Sequence, residues 1–365
     1  MPLMHHVLLL GAGKIGTAIA KLLGNSGDYD IRVCDVDERA LSRLKGVPRV
    51  STLQVDSSDA AALGDAMKGR QSVVSALSYA VNPTVARAAL ANGLSYFDLT
   101  EDVETTRAVH EVAKSAQSGQ IFMPQCGLAP GFIAIAGHHL TRGFDKLDEV
   151  RLRVGALTKF PTNRLRYNLT WSTDGLINEY CNPCEIIWEG KRIEVLPLEG
   201  LEHFSLDGVD YEAFNTSGGV GSLWDTLAGK VRNLDYKTVR YLGHRDLMTF
   251  LVNDLRLSQR REILKDILEK AVPVTLQDVV LIFCTVTGWK DGYLTQVTDA
   301  RKVYHREVHG EPWSAIQITT AAGVCAALDL HASGKIKGTG FTRQEDIELP
   351  DFLSNRFGAL YNPVS

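Results

Sequence analysis

His6-Val7-Leu8-Leu9-Leu10-Gly11-Ala12-Gly13-Lys14-Ile15-Gly16 decides the fold. An apolar strand runs straight into glycines at 11, 13 and 16, and an amphipathic stretch follows to Leu23. That order suits a tight turn at Gly11, a close approach of backbone to a pyrophosphate at Gly13, and a helix packed hard on the sheet at Gly16. Lys14 and Ile15 open the helix, whose first N–H groups are free to face an anion. Nineteen positions beyond Gly16, Asp35 closes a second apolar strand, near the ~20-residue separation at which an acid meets ribose hydroxyls. The stretch reads as a dinucleotide site. Asp35 would repel a ribose 2′-phosphate, so the expected cofactor is NAD, with Arg32 and Arg39 nearby as the cations that would admit NADP.

Outward from this turn, short apolar runs alternate with amphipathic segments through the first 125 residues, the mark of a parallel sheet wrapped by helices. Strands are expected at His6–Leu10, Ile31–Asp35, Arg49–Val55, Ser72–Ala76, Ser95–Leu99 and Ile121–Pro124. Right-handed crossovers gather their C-terminal ends on one edge, where ligands bind. Beside the glycine turn and Asp35, those ends supply Val36, Asp56 and Ser57 toward the adenosine half. Leu77, Ser78 and Tyr79 fall toward the nicotinamide half, and Asp98 is either a catalytic acid or a cap.

After Pro130 the pattern changes. A helix over 131–140 precedes strands at Val150–Leu157, Ile186–Trp188, Arg192–Val195, Lys237–Tyr241, Val279–Thr287 and Leu294–Val303, with Asp291-Gly292 as a hairpin signal. The expected fold is α/β: a Rossmann doubly wound parallel sheet over residues 1–130 and a second α+β domain with a mainly antiparallel sheet over 131–312. A C-terminal helix and tail, 313–365, would return to the first domain. The tail from Phe341 carries few periodic apolar residues and is expected to drape over the surface.

A formal net charge of −4 without a basic block argues against nucleic acid or an anionic membrane as partner. No apolar run was expected to reach the ~18 residues of a membrane span, and the N-terminus lacks a cationic secretory segment. Six scattered cysteines fit a reducing cytoplasm. Cys181-Asn182-Pro183-Cys184 has no second pair to complete a zinc site, so no metal is expected. An exposed sheet in the second domain would suit a homodimer.

Hydride transfer needs a pocket that holds the substrate carbon and a base that handles its protons. Three polar segments of the second domain are candidates: Tyr167 to Gly175, Phe214 to Gly219 and Tyr236 to His244. They offer Tyr167, Trp171, Asp174, Thr216, Ser217 and Arg240 for binding. His244 and Lys237 join Asp98 as catalytic candidates, since histidine titrates near neutrality and lysine does so when desolvated. Strand alternation puts Thr238 and Arg240 on one face and Lys237 on the other.

With Cys126-Gly127-Leu128-Ala129-Pro130-Gly131, these segments resemble the saccharopine dehydrogenase superfamily, and within it the lysine 6-dehydrogenases. The resemblance rests on Ala129-Pro130-Gly131 between the domains, Trp171-Ser172, and Arg240-Tyr241-Leu242-Gly243. It implies oxidation of an amine-bearing carbon: deamination of the ε-amine of L-lysine to 2-aminoadipate 6-semialdehyde and ammonia. The alternative is action on a secondary amine such as saccharopine or carboxynorspermidine, and a redox sensor that binds NAD without turnover is a third reading. The saccharopine-forming members place Pro-Arg where this chain has Thr173-Asp174, and an acid there suits a cationic substrate. They also tend to carry a cysteine in the strand that here reads Arg153-Val154-Gly155. Arg240 would take the substrate carboxylate in a two-pronged contact.

Overall fold

The computed structural model describes residues 4–362. Two compact units divide the chain, one built from Met1–Phe132 and Thr319–Tyr361, the other from Ile133–Ile318.

In the first unit β1 (His5–Leu10), β2 (Tyr29–Asp35), β3 (Val50–Gln54), β4 (Ser72–Ser75), β5 (Ser95–Asp98) and β6 (Ile121–Met123) alternate with helices. These are α1 (Lys14–Ser26), α2 (Glu38–Ser42), α3 (Ala60–Met67), α4 (Asn82–Asn92) and α5 (Val103–Ala113). All strand pairs are parallel, in the order β6-β5-β4-β1-β2-β3. Central strands β1 and β4 are almost continuously buried and read Val-Leu-Leu-Leu and Ser-Val-Val-Ser, as a sheet covered on both faces requires. Chain order reverses between β1 and β4, which fixes the ligand edge at their C-terminal ends.

The second unit opens with α6 (Phe132–Thr141) and the long β7 (Lys146–Thr158). It continues through α7 (Thr173–Cys181), β8 (Cys184–Trp188), β9 (Lys191–Val195), β10 (Glu202–Leu206), β11 (Val209–Asn215), α8 (Leu223–Leu227) and β12 (Asn233–Tyr241). Next come α9 (His244–Thr249), α10 (Arg261–Ala271), β13 (Asp278–Lys290), β14 (Tyr293–Tyr304) and the small hairpin β15 (Arg306–Val308) and β16 (Glu311–Trp313). The main sheet runs β10-β11-β12-β7-β13-β14, with β8 and β9 hung on β12, and only β12 with β7 is parallel. Asp291 and Gly292 form the two-residue turn of β13 and β14, both at positive φ. The β10–β11 hairpin escaped the sequence reading. Its turn, Asp207-Gly208, is also left-handed, but β10 alternates only between half-buried and exposed residues and so looks like loop, although β11 is buried from Tyr211 to Asn215.

α11 (Ala315–Ala332) reaches the length and apolarity of a bilayer span, contrary to expectation, yet 72% of it is buried inside the protein. It is a core helix by that measure. β17 (Gly340–Phe341) adds a further parallel strand beside β6. The tail does not merely drape: Phe352, Phe357 and Tyr361 are buried, with Tyr361 stacked on Phe132 at 4.1 Å between centroids. Three aromatics without helical period supplied a core that periodicity does not detect.

The glycine turn shows why its residues are small. Gly11 sits at φ +98°, and a Cβ on Gly16 would lie 1.9 Å from the Gly11 carbonyl oxygen. Gly16→Ala should therefore force α1 off the sheet and cost about 1–3 kcal/mol, the usual range for overpacking. A chemical denaturation midpoint equal to that of the wild type would contradict the close contact.

Candidate functional site

At the ligand edge of the first unit, α1 begins with no side-chain cap, so the N–H groups of its first turn stay available to an anion. Gly13 is exposed, and a Cβ there would meet nothing within 4 Å, so the approach to these amides is open. Lys14 is exposed and Ile15 half-buried beside them. Val36 stands exposed at the end of β2, and Leu77 and Tyr79 are half-buried around the exposed Ser78 at the end of β4. Asp56 accepts from the amide and hydroxyl of Ser58, which hold its carboxyl below the ordinary range, while Ser57 is buried. These residues fit a dinucleotide: the free backbone donors would hold the pyrophosphate and the half-apolar residues would flank the rings.

Asp35 is differently employed. Its Oδ2 accepts from the Ala12 amide at 2.6 Å and its Oδ1 from the Asp37 amide at 2.9 Å. Both oxygens are committed to the protein's own backbone, fixing the glycine turn to the end of β2.

Asp98 is fully buried. It accepts from the Tyr96 hydroxyl at 2.7 Å and from the Thr100 and Gln125 amides at 3.0 and 2.9 Å. Burial pushes its carboxyl up, although those three donors pull the other way. It ties β5 to the segment after β6 and acts as an anchor. Of the two readings of Asp98, catalytic acid or cap, its three hydrogen bonds match the structural one.

In the second unit one cluster gathers around Arg240 near the end of β12. Its Nε donates to the Tyr180 hydroxyl at 2.9 Å and its Nη1 to the Val239 carbonyl at 2.9 Å. The guanidinium carbon lies 5.1 Å from the Tyr167 ring centroid. Burial works against the charge, but Tyr180, Tyr167 and Glu179 outweigh it and raise the pKa, so Arg240 is a buried cation. His244, from the start of α9, completes the chain. Its Nδ1 faces the Leu165 carbonyl at 2.8 Å and its Nε2 the Tyr180 hydroxyl at 3.0 Å.

A carbonyl oxygen only accepts, so Nδ1 carries the proton and Nε2 accepts from Tyr180. Tyr180 in turn presents its lone pairs to Arg240. Every proton in this chain is thereby assigned. The reading of His244 as general base is corrected: both nitrogens are engaged, and burial followed by repulsion from Arg240 lowers its pKa to about 3.

Alternation along β12 separates Lys237 from Arg240. Lys237 bonds Glu202 at 2.9 Å on the opposite face, in a network with Arg153 and Asp235. This corrects its candidacy as base, because its ammonium has two carboxylates beside it. Asp174 is likewise corrected. It lies in the first turn of α7, with its side chain 55% exposed and bonded to Lys265 at 2.7 Å, so it has no contact with the Arg240 cluster. Trp171 is half-buried against the apolar core that includes Tyr167. Thr216 bonds Thr238 at 2.8 Å, and the Ser217 amide reaches the Glu179 carbonyl at 3.0 Å. In the strand Arg153-Val154-Gly155, where the resembling enzymes tend to carry a cysteine, a Cβ on Gly155 would fall 2.7 Å from the Val239 carbonyl oxygen.

Sequence reasoning missed Glu179 and Tyr180. Both sit on α7, where seven residues from Thr173 to Tyr180 are buried, Asn178 and Glu179 among them. Polar residues in a helix buried nearly all round were the available signal.

Residues 7–123 match the model of the saccharopine dehydrogenase NADP binding domain, and residues 127–360 that of the saccharopine dehydrogenase C-terminal domain. The chain belongs to the saccharopine dehydrogenase family. It is 26% identical over 205 residues to the NADP(+), L-glutamate-forming saccharopine dehydrogenase of Schizosaccharomyces pombe, which covers 53% of this chain and 44% of that protein. Against the Saccharomyces cerevisiae protein of the same description it is 24% identical over 212 residues, 54% of this chain and 45% of that one. The chain thus matches less than half the length of these relatives. The fold of the yeast apo saccharopine dehydrogenase superposes with a TM-score of 0.76 at 18% identity, covering 95% of this chain and 96% of that one. A homospermidine synthase from Legionella pneumophila gives 0.64 at 12% identity, covering 98% and 89%.

As a family member the chain carries the family's NADP binding domain and its C-terminal domain. The preference for NAD over NADP read from Asp35 is overturned, since the matching model is that of an NADP binding domain and both curated relatives are named for NADP(+). The physical reason is that Asp35 has a structural role, accepting from the Ala12 and Asp37 amides, so an acid at that spacing is explained without discriminating between the two cofactors.

His5 and His244 are both held below the ordinary value of 6.5, at about 4 and about 3, chiefly by burial. Their neutral forms are favoured by folding, so their contribution is complete above pH 6.5. It declines as pH falls, because the unfolded chain takes up protons that the folded chain refuses. Each adds a slope of roughly 1 kcal/mol per pH unit below 6.5. In urea titrations between pH 6.5 and 4, His244→Gln should lose stability less steeply than the wild type. Parallel curves would show that His244 is not buried neutral.

Proposed function

We propose that the chain oxidises a secondary amine, CH–NH, in a saccharopine-type reaction with NADP+. The observation that carries the reading is Arg240. Its buried guanidinium is bonded to a phenol and a main-chain oxygen but to no carboxylate among the described residues, in a chain whose two domains match saccharopine dehydrogenase models. A desolvated cation so arranged suits a substrate that brings its own carboxylate. NADP+, when bound at the start of α1, accepts the hydride from the amine-bearing carbon. Loss of that hydride and of the nitrogen proton leaves a C=N bond. Water then adds to the carbon, and the C–N bond breaks to give a carbonyl compound and a primary amine.

Deamination of L-lysine was favoured by the resemblance and, over saccharopine, by Asp174 as an acid suited to a cationic substrate. With Asp174 tied to Lys265 at the surface, that support is gone. For the cofactor, Arg39 in α2 is exposed and makes no side-chain contact among the described residues, which leaves a cation near the end of β2 for a 2′-phosphate.

The test is nicotinamide reduction at 340 nm with saccharopine, carboxynorspermidine and L-lysine, each with NADP+ and NAD+, and ammonia measured in parallel. The expected outcome is NADPH from a secondary amine without ammonia. Ammonia released from L-lysine in step with nicotinamide reduction would overturn the proposal. Arg39→Ala should raise KM for NADP+ by about tenfold, the worth of one charge-assisted contact, and leave KM for NAD+ unchanged. Asp174→Asn should leave the amine KM within about twofold, as for a surface pair.

A further inference from the structure

β17 runs parallel to β6 with Phe341 level with Phe122. Its C-terminal end therefore delivers Thr342, Arg343 and Gln344 to the same edge of the first unit as the glycine turn and the ends of β4, β5 and β6. Arg343 is half-buried there. Its Nε is shut from water without a hydrogen-bond partner, and its Nη atoms make no hydrogen bond or ion pair among the described residues. The Asp346 amide approaches this side chain, but a guanidinium accepts nothing, and that amide donates to the Arg343 carbonyl at 3.2 Å. The Asp346 carboxylate takes the Arg343 backbone amide at 3.0 Å and leaves the guanidinium alone. Of the three nitrogens only Nε is closed off, so the stem is walled in and the Nη fork opens to solvent.

Continuing the register of β17 on β6 brings Arg343 level with Pro124, beside Gln125. Gln125 is left-handed, at φ +64°, with its backbone amide donating to Asp98 at 2.9 Å. Among the described non-glycine residues at positive φ, only Gln125 and Leu198 are buried. Such backbone is adopted at a cost, and it gathers where a fold must aim a side chain. The side-chain amide of Gln125 has no partner among the described residues.

A cation without a counter-charge, its fork open and a neutral amide beside it, matches a carboxylate. A cationic group would be repelled, and an apolar one would cover unpaired donors. Along the edge β17 lies three strands from β4, about 14 Å at the usual strand spacing, on the side where Leu77 and Tyr79 would flank the nicotinamide. The matching carboxylate is thus remote from the carbon that gives up hydride.

We propose that Arg343, with the Gln125 amide, binds a remote carboxylate of the substrate at the nicotinamide side of the cofactor domain. The site selects amines whose arm ends in an acid. It rests on the reading of the chain as an amine oxidoreductase for what carries the carboxylate, but its occupancy is measured without turnover.

The test is the rate at which phenylglyoxal modifies Arg343 in the NADP+-loaded enzyme, followed by peptide mass spectrometry. The probes are glutarate, glutaramide, which has the same length without charge, and inorganic phosphate. Saturating glutarate should slow the modification about tenfold, the scale of one charge-assisted pair, and glutaramide should leave it unchanged. Gln125→Glu should set an acid beside the fork and abolish the protection by glutarate. With saccharopine as substrate, Arg343→Gln should raise KM about tenfold and leave KM for NADP+ unchanged, with Arg343→Lys between it and the wild type.

Equal modification rates with glutarate and glutaramide would overturn the proposal, as would undiminished protection in Gln125→Glu or an unchanged saccharopine KM in both Arg343 variants. Protection by phosphate but not by glutarate would mark a free-anion site and overturn it too. If the function reading alone is wrong, glutarate still protects Arg343 while no secondary amine reduces NADP+.

Discussion

A guanidinium shut away from water is the constraint around which the second unit is arranged. Removing such a charge from solvent costs several kcal/mol unless its donors are satisfied and its surroundings are polarisable. Arg240 has two acceptors, a phenol and a main-chain carbonyl, and the Tyr167 and Tyr180 rings lie against it. The phenol can accept because its own proton goes to His244, and His244 can accept because Leu165 fixes its other nitrogen. Direction in this chain of bonds comes from one carbonyl that cannot donate. The cost of assembling it is the loss of His244 as a titrating group near neutrality, a trade that favours a rigid recognition element over an acid–base one.

The same strand keeps a second set of charges apart from the first. Arg153, Asp235, Lys237 and Glu202 form their network on one face of the sheet, and Thr238 and Arg240 stand on the other. Period-two geometry alone achieves the separation. It keeps Glu202 and Asp235 on the face away from Arg240.

Much of this was legible in the chain. Gly11, Gly13 and Gly16 after an apolar strand announce the parallel sheet because the steric demands are local: a left-handed turn and a missing Cβ. The opposition of Lys237 and Arg240 follows from counting. What the chain hid depends on partners distant in sequence. Asp35 looks like a ribose ligand by spacing, yet the Ala12 and Asp37 amides claim it. Asp174 looks like a pocket acid beside Trp171, yet it points to Lys265, ninety-one positions away. His244 looks like a base by residue type, and only burial with both nitrogens bonded removes that role. Tyr180 carries no motif at all, since its function is to connect Arg240 and His244 from another element.

The most direct measurement of the account is the coupling between Arg240 and the substrate carboxylate. The values of kcat/KM are compared for a carboxylate-bearing secondary amine and its carboxamide, in the wild type and in Arg240→Gln. The account predicts that the wild type prefers the carboxylate by about a hundredfold, the scale of a buried charge-assisted pair, and that the variant loses this preference. Equal preference in both enzymes would contradict it.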